Sequence, residues 1–215
     1  AGKIGLQAPE VTIRRGLDTL FIVKRFDRER TPEGKVVRIH QEDFCQALGV
    51  LPEQKYESEG GPALSQCFDL INRSSISPAA DRMALLKWVI FNVLTGNADA
   101  HAKNLTIILT DPGPRLAPFY DLLCTKIYGS LTDKLAMKIG GENRPDWLQT
   151  KHWKKFADSI LIKQNLVLKI LSDMIQIIVP KAEELASEFY DNYGADSNIE
   201  RICSVIHKRA HKIGS

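Results

Sequence analysis

The chain has 215 residues, 44% of them hydrophobic and 7% aromatic, which is enough apolar content to bury one good core or two small ones. A formal charge of +3 is too mild to argue for direct nucleic-acid binding, which calls for a strongly basic face. Cys45, Cys67, Cys124 and Cys203 are widely spaced, without a Cys-x-x-Cys pair, and no signal peptide is visible, so reduced thiols in a soluble cytoplasmic protein are expected.

Val11–Arg15 and Thr19–Phe26 carry β-branched and aromatic residues on either side of Gly16-Leu-Asp18, the pattern of a β-hairpin. Lys24 follows an apolar strand, which fits either a phosphate-pairing lysine or the charged edge of an ordinary hairpin. Thr31-Pro-Glu-Gly34 is a turn and Lys35–Ile39 a further short strand. A helix is expected over His40–Leu48, with Gly49 as its stop and Phe44, Cys45 and Leu48 facing inward. Gln41 and Asp43 suit the first turn of that helix as capping or dipole-compensating residues.

Lys55–Gly61 is a polar, glycine-containing loop, and Ala63–Asn72 a helix with Leu64, Cys67, Phe68 and Ile71 on one face. Ser77-Pro78 opens the next helix, Ala79–Leu94, whose apolar residues cover most of its surface and mark it as the buried centre of the fold. Beyond Asp121, Leu135–Ile139 reads as a short helical piece broken by Gly140-Gly141, and Lys151–Lys155 as a basic helical face. Helices over Asn165–Val179, Glu183–Tyr193 and Asn198–Ala210 complete the chain, with Leu166, Ile170, Met174, Ile177 and Ile178 as a core stripe. The apolar run Ile170–Val179 is too short and too often interrupted to span a membrane.

The segment from Gly96 to Asp121 organises the rest. Two β-type runs, Leu105–Leu109 and Arg115–Ala117, flank a Pro/Gly turn at Asp111–Pro114, so Asp99, Asn104 and Asp121 fall on the loops at the ends of one hairpin. Asp99 and Asn104 have the Asp-x-x-x-x-Asn spacing of a kinase catalytic loop, in which the Asp accepts a hydroxyl proton and the Asn holds magnesium. Asp121 is then the carboxylate that grips the metal beside the Asn104 amide oxygen, because magnesium takes hard oxygen ligands and completes its shell with phosphate oxygens and water. A lone His such as His101 is more often structural, and the Asp-x-His pair also hints at a metallohydrolase, but no second His/Asp cluster follows.

The wording departs from protein kinases: there is no His-Arg-Asp, and Phe-Tyr-Asp stands where Asp-Phe-Gly would. It resembles instead the C-terminal part of the HipA-like kinases, toxins of bacterial toxin–antitoxin pairs. The strings that carry this are Asn97-Ala-Asp-Ala-His-Ala-Lys-Asn104, Pro118-Phe-Tyr-Asp121, His40-Gln-Glu-Asp-Phe-Cys-Gln46, Lys55-Tyr-Glu-Ser-Glu-Gly-Gly-Pro62, Arg25-Phe-Asp-Arg28 and Lys134-Leu-Ala-Met137. The resemblance implies an α+β, mostly helical kinase C-terminal lobe over 40–215, preceded by the end of an N-terminal lobe and a hinge over 1–39. It implies an ATP- and Mg2+-dependent serine/threonine kinase with Asp99 as catalytic base and Asn104 and Asp121 as metal ligands. Lys24, Arg25 and Phe26 would border the adenine, and His101, Ala102, Lys103, Asn104, Tyr120 and Asp121 would line the phosphate side.

No Gly-x-Gly-x-x-Gly or Walker A string occurs, so the chain reads as a C-terminal lobe whose glycine-rich loop would lie upstream, inactive or nearly so alone. Implied partners are a HipB-like helix-turn-helix antitoxin, a protein substrate such as an aminoacyl-tRNA synthetase, and DNA only through the repressor. The rival reading is a non-catalytic interaction module, a pseudokinase that binds an antitoxin repressor.

Overall fold

A computed structural model describes residues 1–214; Ser215, the last residue of the expected 40–215 lobe, lies outside the described residues. The chain opens with two small ribbons, β1 (Val11–Arg15) with β2 (Thr19–Val23) and β3 (Arg28–Arg30) with β4 (Val36–Arg38), both antiparallel. A three-stranded sheet follows, of order β5 (Gln41–Asp43), β6 (Thr106–Leu109), β7 (Pro114–Leu116). The helices are α1 (Phe44–Ala47), α2 (Leu64–Ser74), α3 (Pro78–Thr95), α4 (Thr150–Ser159), α5 (Gln164–Tyr193) and α6 (Ser197–Gly214). This is the mostly helical α+β architecture expected.

Helix α3 is the hub. Leu85, Leu86, Ile90 and Leu94 are fully buried, and α3 packs on α2, α5 and α6. Trp88 stacks on Phe119 with ring centroids 6.0 Å apart, which fixes the segment leading into Asp121 against the central helix. Phe68 of α2 meets Phe156 of α4 edge to face, and Trp153 meets Phe156 likewise within α4, a geometry that favours aromatic pairs beyond their buried area. At the N-terminus of α3, buried Asp81 accepts from Arg115 at 2.8 Å, from the Leu116 N–H at 2.9 Å and from Ser75 at 2.6 Å. One carboxylate therefore pins the last strand of the sheet to the first turn of the core helix.

Four expectations are corrected. Residues 41–43 pair with β6, in the register Gln41 with Ile108, instead of starting a helix, and the helix begins only at Phe44. Asp43 is its N-cap in a reciprocal capping box with Gln46, so the capping signal was real but marked the boundary three residues later. The two segments expected around Pro180 form one 30-residue helix; Pro180 sits on the exposed side, and packing against α4 and α6 holds the helix through the missing N–H. The buried stripe of α5 is Val167, Leu171, Met174 and Ile178, while Leu166 and Ile177 are exposed, a rotation of about one position. Leu135–Ile139 is not helical: it bends at Ala136 and Met137, and Ile139 bridges Glu142 across the Gly140-Gly141 turn. The four cysteines are free thiols. Among the described residues no helix is long and apolar enough to cross a membrane.

Candidate functional site

Helix α3 ends at Thr95, and Gly96 takes the left-handed φ of 72° that closes it, turning the chain into the loop Asn97–His101. Asn97 is 1% exposed and ties three elements together. Its amide donates to Asn92 Oδ1 at 2.8 Å on α3 and to the Asp121 carbonyl at 3.3 Å, and its Oδ1 accepts the Asp99 N–H at 3.1 Å. Asn104, at the end of the 3-10 turn Ala102–Asn104, donates through Nδ2 to the Asp99 carbonyl at 3.0 Å. The loop bearing Asp99 is thus clamped at both ends, and the Asp121 backbone is brought to it.

The Asp99 carboxylate receives the Tyr56 hydroxyl at 2.5 Å and lies 3.7 Å from His101 Nε2. His101 is 4% exposed, and burial drives its pKa down against the opposing pull of Asp99, so the imidazole is neutral and the contact is not an ion pair. Its Nδ1 is buried with no hydrogen-bond partner among the described residues. The charges of Asp99 and Asp121 both act on this ring.

Asp121 is exposed, at a left-handed φ of 56°, unusual for a residue with a side chain. Its carboxylate accepts no hydrogen bond and makes no ion pair among the described residues, and Asn104 Oδ1 is likewise uncommitted because Nδ2 makes the amide's contact. These are two hard oxygen donors of the kind magnesium selects. Among the described residues no cluster of three or more His, Cys, Asp or Glu is placed to hold a metal, so an ion here would depend on oxygens from a ligand.

Of the other expected residues, Tyr120 is close by: its hydroxyl donates to the Lys103 carbonyl at 2.7 Å and meets Thr106 Oγ1 at 2.9 Å. Burial first, then neighbouring carboxylates, raises its pKa, so it remains a donor. Phe26 stacks on Tyr120 at 5.9 Å, which brings the start of the chain to this loop. Ala102 is fully buried and offers only backbone. Lys103 is committed to Asp43 at 2.8 Å and braces the 3-10 turn against the cap of α1. Lys24 and Arg25 make no hydrogen bond or ion pair with the 97–121 segment among the described residues; they pair with Glu10 at 3.6 Å and with Asp27 at 2.6 Å.

Two clefts adjoin the Asp99 and Asp121 segments. One, of about 640 Å3, is lined by Asp99, Tyr56, Glu59, Thr132, Lys134 and Asn143. The other, of about 730 Å3, is lined by Tyr120, Asp121 and Phe91 with Val11, Phe21 and Val23 of the β1–β2 ribbon. Leu123 stands in the wall of both. Three features escaped sequence reasoning: the hold of Tyr56 on Asp99, the Asn97 bridge and the Asp43–Lys103 pair. Their partners are 43, 24 and 60 residues apart, and only the position of Tyr56 inside a family-like string hinted at it.

The family model for the HipA-like C-terminal domain matches residues 1–182. The candidate kinase Y4mE of Sinorhizobium fredii is 40% identical over 211 residues, which cover 98% of this chain and 50% of that protein. The serine/threonine-protein kinase toxin HipA of Shewanella oneidensis is 31% identical over 193 residues, 80% of this chain and 44% of that protein. Among solved structures, the complex of S. oneidensis HipA, HipB and operator DNA superposes with a TM-score of 0.89 at 28% identity, over 99% of this chain and 53% of that one. The Helicobacter pylori proinflammatory kinase CtkA shares the fold alone, with a TM-score of 0.56 at 14% identity, over 99% of this chain and 79% of that one. The chain spans about half the length of the curated relatives it matches. With the domain model spanning most of the sequence and the kinase-like fold in place, the chain belongs to the HipA-like C-terminal domain family.

Proposed function

We propose that the chain forms the C-terminal lobe of an ATP-dependent serine/threonine protein kinase of the HipA type. The observation that supports this best is the Asn97 bridge, which joins the Asp99 loop to the Asp121 loop through one buried side chain. Asp99 lines one cleft and Asp121 the other, with Leu123 in the wall of both; for transfer the acceptor hydroxyl and the γ-phosphoryl group must meet where the two clefts adjoin. The donor set fits magnesium, since Asn104 Oδ1 and the Asp121 carboxylate are oxygens without competing partners. Mg2+ and ATP, when bound, supply the charge-neutralised phosphoryl group and its leaving group.

The residues of the chain do the rest. Asp99 orients the acceptor hydroxyl and takes its proton. Val11, Phe21, Val23 and Tyr120 give the nucleotide side an apolar lining against which a base can pack. Lys103 and Tyr120 hold the 3-10 turn so that Asn104 keeps its place. By the same family reading, the partner is a HipB-like helix-turn-helix antitoxin, with DNA reached through it. The protein substrate would be a component of translation such as an aminoacyl-tRNA synthetase.

The test is Asp99→Asn in the protein as the cell makes it, with γ-phosphoryl transfer and nucleotide binding measured separately. Transfer should fall by at least about 100-fold while ATP affinity holds. Transfer at the parental rate would refute the assignment.

A further inference from the structure

We propose that Tyr56 is a positioning residue for Asp99: its hydroxyl occupies Oδ1 and leaves Oδ2 to meet the acceptor hydroxyl. This rests on the reading of Asp99 as the base. The hydroxyl-to-carboxylate distance is 2.5 Å, in the range of charge-assisted bonds, which are roughly twice as strong as neutral ones. A carboxylate with both oxygens free to rotate presents either one, in a range of directions. A donor fixed on one oxygen sets the plane of the group and so the approach of the other.

The surroundings make Tyr56 a fixed donor. Burial first, then the hydrogen bond to Asp99, pushes its phenol up to about 12, so it keeps its proton wherever the protein works. Its ring stands edge-on to His101 at 5.3 Å and 79°, and the Lys55 ammonium sits 5.0 Å over its face. Its carbonyl accepts the N–H groups of Glu59 and Gly61, each at 2.9 Å. A Cβ at Gly61 would lie 2.7 Å from that carbonyl and 2.3 Å from the carbonyl of Gln54, so only glycine permits the turn.

The turn is also joined to the Asp99 loop by a second route. Glu57 N–H donates to the Ala136 carbonyl at 3.1 Å, and Ala136 N–H donates to the Ala98 carbonyl at 3.1 Å. Lys138 N–H donates to Glu57 Oε2 at 2.6 Å and fastens the other side. Side chain and backbone thus lock the same two loops, and both Tyr56 and Asp99 face the 640 Å3 cleft. In the step itself the acceptor proton passes to Oδ2, and Tyr56 neither gains nor loses one.

Two measurements test this on the protein as the cell makes it. Tyr56→Phe removes one oxygen and keeps the ring; kcat should fall roughly 10- to 100-fold with the nucleotide KM within about twofold and the melting temperature unchanged. The second needs no turnover. With tyrosine labelled at Cζ, the resonance lost in Tyr56→Phe identifies Tyr56, and Asp99→Asn should move that resonance. If it stays where it was, or if Tyr56→Phe keeps the parental kcat while Asp99→Asn is inactive, the positioning role is overturned. A loss in Tyr56→Phe that follows a lowered melting temperature also overturns it. Parental transfer by Asp99→Asn would instead sink the assignment of the base, whatever the resonance does.

Discussion

Asp81→Ala is the sharpest test of how the fold holds the site. Asp81 is 4% exposed and meets Arg115 through two nitrogens, the Leu116 N–H and the Ser75 hydroxyl. Burial pushes its pKa up, but these donors together outweigh burial and keep the group ionised, below the usual carboxylate range. Truncation leaves the buried Leu116 N–H without an acceptor, which costs about 1–3 kcal/mol. Breaking a fully buried ion pair costs about 3–5 kcal/mol, but the Arg115 side chain is 37% exposed and recovers part of its hydration. The net is about 3–4 kcal/mol. For a chain of this size that corresponds to a fall of roughly 6–15 °C in melting temperature. Asp81→Asn, which keeps an acceptor for Leu116, should lose about half as much. Thermal melts followed at 222 nm decide the matter, and an alanine variant that melts within about 2 °C of the parent would refute the pinning of β7 by α3.

Asn97→Ala should destabilise by about 2–3 kcal/mol, because three hydrogen bonds of one buried side chain go at once, and should speed deuterium uptake across 97–105; unchanged uptake would mean the bridge does not hold the loop. Asp27 is 1% exposed and is held at about 2 by hydrogen bonds from Arg25 and then Arg28, against the cost of burial. Its folded pKa lies below the unfolded value of about 3.9, so its contribution is complete above that pH and is lost as the pH falls towards about 2. Solvent screening of the half-exposed arginines leaves about 1–2 kcal/mol, and urea midpoints of Asp27→Asn should lose the corresponding slope between about pH 4 and about pH 2. Gly140→Ala should be severe, since φ is +57° and the new Cβ would lie 2.1 Å from the His152 carbonyl oxygen; a fall of at least about 5 °C in melting temperature is expected.

The elements that sequence made plain were those whose signals are local. The β6–β7 hairpin carries its own turn chemistry, and α3 is apolar on nearly every face, so both lie close to where pattern and punctuation put them. The β5 strand was hidden because Gln41–Asp43 ends in a helix cap, and nothing nearby announces a partner strand in the second half of the chain. The face of α5 was misjudged because Leu166, Val167, Leu168, Ile170 and Leu171 surround the helix with apolar side chains, and only packing chooses among them. At the site, residue types and spacing pointed to Asp99, Asn104 and Asp121. The contacts that fix them, from Tyr56, Asn97 and Asp43, are meetings of side chains distant in sequence, which no periodicity encodes.

The pairing of Asp43 with Thr106 has a kinetic consequence for a chain leaving the ribosome. The β6–β7 ribbon can zip within microseconds of synthesis, but its third strand was made more than sixty residues earlier and must be recaptured across a long intervening loop. The helices α2 and α3 lie within that loop, and their docking shortens the search. The edge of β6 that adjoins the Asn104 turn is therefore completed by a long-range pairing, whose entropic cost the docking of α2 and α3 reduces.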